Sequence, residues 1–269
     1  MGFFTNLNPA VQALVATCYT CAMTGVGAAF VFFRREPNRK SLDGMLGFAA
    51  GVMTAASFWS LLAPAVELSR GKALPAWFPP AVGFVAGSLF IWLIDQVLPH
   101  LHLGLPVEKA EGIRTKLQTS ALLVLAITLH NIPEGLSIGV AFGAAGAGLP
   151  GYAFAGAVAL AVGIGIQDVP EGIAVSMPLR SMGMSRRKSF WYGQLSGVVE
   201  PFAAVLGALA VTRMQALLPY GLAFAAGAMV YVVVEEVIPE SRRYGNTDLA
   251  TLTTLAGFVL MMILDIAFS

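Results

Sequence analysis

Charged residues are scarce in this 269-residue chain. Asp, Glu, Lys and Arg together make up 12% of it, about half of the roughly 25% found in a soluble globular domain, so a water-facing shell cannot be built. A hydrophobic content of 57% and a mean hydropathy of +0.75 exclude disorder as well. An excess of one sign of charge is also missing. The net charge is +1, which leaves no electrostatic basis for a nucleic-acid partner. Two cysteines, Cys18 and Cys21, rule out a disulfide framework. Three apart on one helix face, they read as small apolar residues packing between helices, with redox or metal chemistry as the other reading of C-x-x-C. The opening MGFFTNLNPA lacks the basic leader of a cleaved signal peptide, so the first apolar segment is expected to be retained. These absences leave one class, an integral membrane protein.

Long apolar runs are abundant. A transmembrane helix needs about 20 mostly apolar residues, and eight segments qualify: 9–33, 45–66, 79–99, 119–142, 152–179, 189–212, 214–234 and 249–268. The runs are continuous rather than alternating, which excludes a β-barrel. Connectors such as RREPNRKSLDG and SRGKALPAWFPP are short and carry Pro, Gly or charge. The expected fold class is therefore all-α, one polytopic membrane domain over residues 1–269 with eight transmembrane helices. Odd-numbered connectors hold 13 of the 16 basic residues, and the even ones only Arg70, Lys72 and Arg213. That bias places the odd connectors in the cytoplasm, with both termini outside it and the cytoplasmic (inner) membrane as the location. Glycine recurs at spacings such as Gly44/Gly47/Gly51, which let helices approach closely in lipid.

Ionisable side chains at bilayer depth are costly and usually functional. Segment four contains His130-Asn131-Ile132-Pro133-Glu134-Gly135, and segment five contains Gln167-Asp168-Val169-Pro170-Glu171-Gly172. Each is two polar residues, an aliphatic, then Pro-Glu-Gly, an internal repeat on consecutive, antiparallel helices. Repeats of this kind, interrupted by Pro and Gly, point to a transporter's binding site near the midplane. A further acid, Glu200, lies in segment six beside Pro201. His130 and Glu134 are i,i+4 and share a helix face, as do Gln167 and Glu171. Pro133 and Pro170 each remove a helical donor and free the carbonyls of Leu129 and Ile166, which must be satisfied by protein, water or an ion. At about 1.5 Å per residue, His130 and Glu200 each lie about 16 Å inside the cytoplasmic ends of their helices. Glu134, Asp168, Glu171 and Glu200 supply four negative charges, enough for two divalent cations. One imidazole among oxygen donors suits borderline metals such as Zn, Fe or Mn. For any one of these residues a polar network that only fixes helix packing is an alternative; it accounts poorly for two matched motifs plus Glu200.

These residues resemble the ZIP (Zrt/Irt-like) family of divalent metal transporters, its prokaryotic branch in particular. The carriers are HNIPEG at 130–135, QDVPEG at 167–172, Glu200-Pro201, and VEEVIPE at 234–240. The resemblance implies a ZIP-type fold with helices four and five as an inverted repeat around a central metal site. It implies transport of zinc, also cadmium, with iron and manganese as further candidates, toward the cytoplasm by alternating access. The implied assembly is a homodimer in the lipid bilayer, with metal ions as partners and no organic cofactor. The family's binuclear site maps residue by residue: His130, Glu134, Gln167 and Glu171 for the first metal, Asn131, Asp168 and Glu200 for the second, with Glu134 and Glu171 bridging. Met53 matches a softer ligand of the first site, though read alone it is core filler. Met53, Ser60 and Glu67 are seven apart and are expected to line one face of segment two toward an entrance. His100, His102, Glu235, Glu236 and Glu240 form a candidate release station, or else a solvated loop and helix end. The short HLH and the Glu at 235, where many relatives have His, weaken a nitrogen-donor exit.

Two rival functions remain at this stage. An intramembrane metal-dependent hydrolase would normally show H-E-x-x-H with an open coordination position; here the motif is H-N-x-P-E with no second histidine beside it. A proton-coupled transporter of another solute could use the acids as relays, but matched amide-plus-carboxylate sets argue for metal.

Overall fold

The computed structural model describes residues 2–34, 38–97, 119–149, 152–213 and 217–268. Among these no strand occurs. After a short N-terminal turn of helix, Gly2–Thr5, eight long helices follow: α1 (Pro9–Phe32), α2 (Arg39–Ser69), α3 (Phe78–Val97), α4 (Thr119–Gly146), α5 (Phe154–Ser181), α6 (Arg186–Val211), α7 (Leu218–Arg242) and α8 (Thr247–Phe268). Seven of them, all but α4, are long and apolar enough to cross a membrane by that measure, one fewer than the sequence predicts. The fourth segment is nonetheless a helix of 28 residues. Helix α2 extends beyond the predicted 45–66 at both ends, and α7 runs past the predicted end at 234 to Arg242.

Local chemistry sets the ends and the irregularities. Asn8 caps α1, its side chain accepting from Ala10 N–H at 2.9 Å, with Pro9 in the first turn where no donor is needed. Asn38 and Ser185 cap α2 and α6 in the same way. Two helices contain a widened turn, Ser57–Leu62 in α2 and Val233–Val237 in α7. Each lies just before a proline, Pro64 or Pro239, whose ring cannot donate and crowds the preceding turn. A locally wider i→i+5 turn absorbs the clash: Ala63 N–H reaches Phe58 O, and Ile238 N–H reaches Val233 O.

Glycine determines which helices touch most closely. A Cβ on Gly135 would stand 2.4 Å from the Glu200 carbonyl, and one on Gly139 would stand 2.0 Å from that of Ala204. Residue numbers rise together on both partners, so α4 and α6 run parallel in backbone contact. The same logic pairs α1 with α5 (Tyr19 on Gly165, Thr24 on Gly172), α2 with α8 (Gly47 on Ala250, Gly51 on Thr254) and α3 with α7 (Gly83 on Tyr220, Gly87 on Phe224). Helices α1, α4, α5 and α6 also pack on one another, and the polar motifs lie where they converge.

Candidate metal centre

Both Pro-Glu-Gly motifs sit inside unbroken helices, with Pro133 within α4 and Pro170 within α5. Asn131, Glu134, Gln167, Asp168 and Glu200 are wholly buried and Glu171 nearly so. Glu134, Asp168 and Glu171 each offer a carboxylate oxygen within 4.8 Å of the other two. Glu200 stands alongside on α6, its backbone against Gly135, outside the trio whose oxygens meet within 4.8 Å.

The hydrogen bonds reveal what this cluster is suited to hold. Gln167 Nε2 donates to Glu134 Oε1, and to Glu171 Oε1 at 3.4 Å. Asn131 Nδ2 donates to the Ser196 carbonyl at 3.0 Å, and Thr20 Oγ1 from α1 donates to Glu200 Oε2. The donor ends of both amides are thus engaged. The acceptor ends are not: Asn131 Oδ1, Glu134 Oε2, Gln167 Oε1, both Asp168 oxygens, Glu171 Oε2 and Glu200 Oε1 are buried with no hydrogen-bond partner among the described residues. Buried polar atoms are nearly always paired, and ionised carboxylates can only accept. Acceptor oxygens gathered from four carboxyl groups and two amides in an apolar interior suit a cation, whose charge offsets that of the carboxylates.

The other predicted residues are distributed differently. His130, one turn from Glu134, points Nε2 at Glu236 Oε2, 2.8 Å away. Glu236 of α7 thus stands beside His130 of α4. Glu235 is exposed, and Glu240 is half-buried and pairs with Arg243 at 3.3 Å; His100 and His102 lie outside the described residues. Met53 is fully buried within the apolar core of α2. Between Met53 and Glu67 lies the widened turn at Ser57–Leu62. Ser60 turns to α8 and donates to Asp265 Oδ2 at 2.6 Å, while Glu67 is exposed and paired with Arg70 at 3.1 Å.

Sequence reasoning passed over Thr20, which a stripe of Thr17, Thr20 and Thr24 in an apolar helix does not single out. It also passed over three buried acids: Asp43, bonded to Asn246 Nδ2 at 2.7 Å, Asp95 and Asp265. For Asp95 and Asp265 the usable signal was the one applied to Glu200, an acid inside an apolar segment.

Comparison with known proteins agrees with this geometry. The family model described as ZIP Zinc transporter matches residues 106–265. The chain is 43% identical to zinc transporter ZIP11 of Xenopus tropicalis, over 96% of this chain and 98% of that protein. It is 40% identical to zinc transporter GufA of Myxococcus xanthus, over 94% and 98%. Against zinc transporter ZIPB of Bordetella bronchiseptica it is 38% identical, over 91% and 78%. A matching model over more than half the chain, relatives along nearly all of it, and a buried acceptor-only cluster on apolar helices lead to one conclusion: the chain is a multi-pass membrane protein of the ZIP family.

Proposed function

We propose that this protein moves zinc across the cytoplasmic membrane toward the cytoplasm through a binuclear site on α4, α5 and α6. It is a transporter and not an enzyme. The observation that carries the reading is the convergence of unpaired acceptor oxygens on Asn131, Glu134, Gln167, Asp168, Glu171 and Glu200. The first metal takes His130, Glu134, Gln167 and Glu171, with Met53 as a softer fifth donor. The second takes Asn131, Asp168 and Glu200, with Glu134 and Glu171 bridging both. Four carboxylates balance two divalent charges, so each metal is desolvated into a site that replaces water oxygens with fixed ones. Cadmium is a further substrate, and iron and manganese are weaker ones.

Eight spans in one domain fit this reading, since α4 runs parallel to α6 and the four pairs match odd helices with odd and even with even. The basic connectors then place both termini outside the cytoplasm. Alternating access moves α1, α4, α5 and α6 as one body against α2, α3, α7 and α8. In support, the backbone-to-backbone glycine contacts among the described residues fall within these two groups, while Gly163 of α5 meets α8 only through the Met261 side chain. A homodimer completes the assembly. The test is radiolabelled zinc uptake into proteoliposomes, with zinc per chain counted by elemental mass spectrometry. Two zinc ions per chain and saturable uptake support the reading; a single ion per chain refutes the binuclear site.

A further inference from the structure

Away from the buried acids, a crevice opens between the α1–α5 pair and the α2–α8 pair. Its inner part is an open groove of about 580 Å³, with walls that include Met23 of α1, Phe48 of α2, Val169 of α5 and Leu249 of α8. A second part of about 250 Å³ continues along Phe30, Ile173 and Met177. The two parts share Ser41 and Met45. Both volumes are apolar through most of their length. Thr253, an inner hydroxyl, is engaged with the carbonyls of its own helix at 2.9 and 3.1 Å.

Exposed polar groups collect at one end only. Arg34, Asn38, Lys40 and Ser41 line the mouth, just after α1 and in the first turn of α2. No acid is among the described lining residues of either part. Arg39 is directed elsewhere, its guanidinium 4.4 Å over the Tyr244 ring.

We propose that this crevice seats an anionic phospholipid, an acyl chain along the Met45–Phe48–Val169 wall and the phosphate between Arg34 and Lys40. The walls belong to membrane-crossing helices, so the crevice opens onto hydrocarbon, where the available occupant is a lipid chain. Cations at the mouth select the headgroup, because a basic residue near the membrane surface favours an anionic lipid by about fivefold. The position gives the lipid a consequence. Val169 and Pro170 lie between Asp168 and Glu171 on α5, so a chain lodged there lies between the proposed metal-bearing helix and α2.

The experiment uses the full chain in nanodiscs of phosphatidylcholine mixed equally with phosphatidylglycerol, followed by native mass spectrometry of retained lipid. The wild type is expected to retain phosphatidylglycerol preferentially. The R34Q/K40Q double variant, altered only at exposed positions, is expected to lose that preference by about 30-fold, the product of two basic contacts. Thr253→Phe, which narrows the inner part, is expected to lower retention of either lipid. Equal retention of the two lipids by the wild type, an unchanged preference in R34Q/K40Q, or displacement of the lipid by inorganic phosphate alone overturns the proposal. Zinc uptake is not the readout, so the outcome is independent of the transport reading.

Discussion

Gly135→Ala is the sharpest test of how the helices build the metal centre. The added methyl would lie 2.4 Å from the Glu200 carbonyl oxygen and 2.6 Å from its Cα, both backbone atoms that cannot rotate away. Ordinary contact begins near 3.4 Å, so α4 and α6 must separate by about 1 Å at this level. Metal–ligand distances tolerate only about 0.2 Å, and Glu200 is the acid that α6 contributes. Separation should therefore pull Glu200 from the other three carboxylates while leaving Glu134, Asp168 and Glu171 in place. Overpacking of this kind costs about 1–3 kcal/mol of stability. Loss of a positioning contact weakens metal affinity by about 10–100-fold, here at the second metal. Gly221→Ala is the control, since no heavy atom lies within 4 Å of its Cβ position. Zinc titration with metal counting, alongside thermal unfolding in detergent, separates the two effects. Two tightly bound zinc ions and undiminished uptake in Gly135→Ala would refute the claim that the α4–α6 contact sets the site.

The bridging role predicts unequal costs among the acids: Glu134→Ala or Glu171→Ala abolishes uptake, whereas Glu200→Ala, touching one metal, leaves a measurable rate. Undiminished uptake in the first two variants would contradict the binuclear arrangement. Thr20→Val should weaken the second zinc by about tenfold while Thr20→Ser restores it, because only the hydroxyl orients Glu200; equal behaviour of the two variants in a zinc titration would count against this. In competition assays, His130→Ala should lose zinc and cadmium more than manganese, which tolerates oxygen ligands better, and calcium displacing cadmium from the wild type at equal concentration would argue against a mixed-donor site. On a cysteine-free background, Ser185→Cys should be shielded from an impermeant thiol reagent on whole cells and Ala73→Cys labelled; the reverse pattern would invert the direction of transport.

How much of this was legible in the sequence depends on the range of the signal. Apolar runs are local and so are prolines. All eight helices were accordingly visible, and both Pro-Glu-Gly motifs were recognisable as an unusual concentration of polar groups. Helical spacing put His130 with Glu134 and Gln167 with Glu171, while Asp168 joined them only through the family resemblance. What was not legible depended on pairings between distant segments. Nothing near Glu236 announces that it faces His130, 106 positions earlier in the chain. Thr20 looks like any small residue of a packed helix until Glu200, 180 positions away, is placed against it. The widened turn at Ser57–Leu62 has a different origin: Pro64 is plain in the sequence, but the i→i+5 geometry that precedes it is not.

The amides explain why the centre has the composition it does. Six acids at Asn131, Glu134, Gln167, Asp168, Glu171 and Glu200 would have offered more oxygens, yet two of the six are amides. Each amide fixes its own orientation by giving its N–H₂ away, Asn131 to the Ser196 carbonyl and Gln167 to the glutamates. The carbonyl oxygen is then left to the interior without adding charge. Gln167 does a second thing, since its donor holds Glu134 and Glu171 together across α4 and α5, the two acids that electrostatics would otherwise drive apart. Replacing Gln167 by Glu would remove that donor and add a fifth negative charge against the two cations proposed. Such a site is expected to hold metal more tightly but release it less readily, and a transporter must do both.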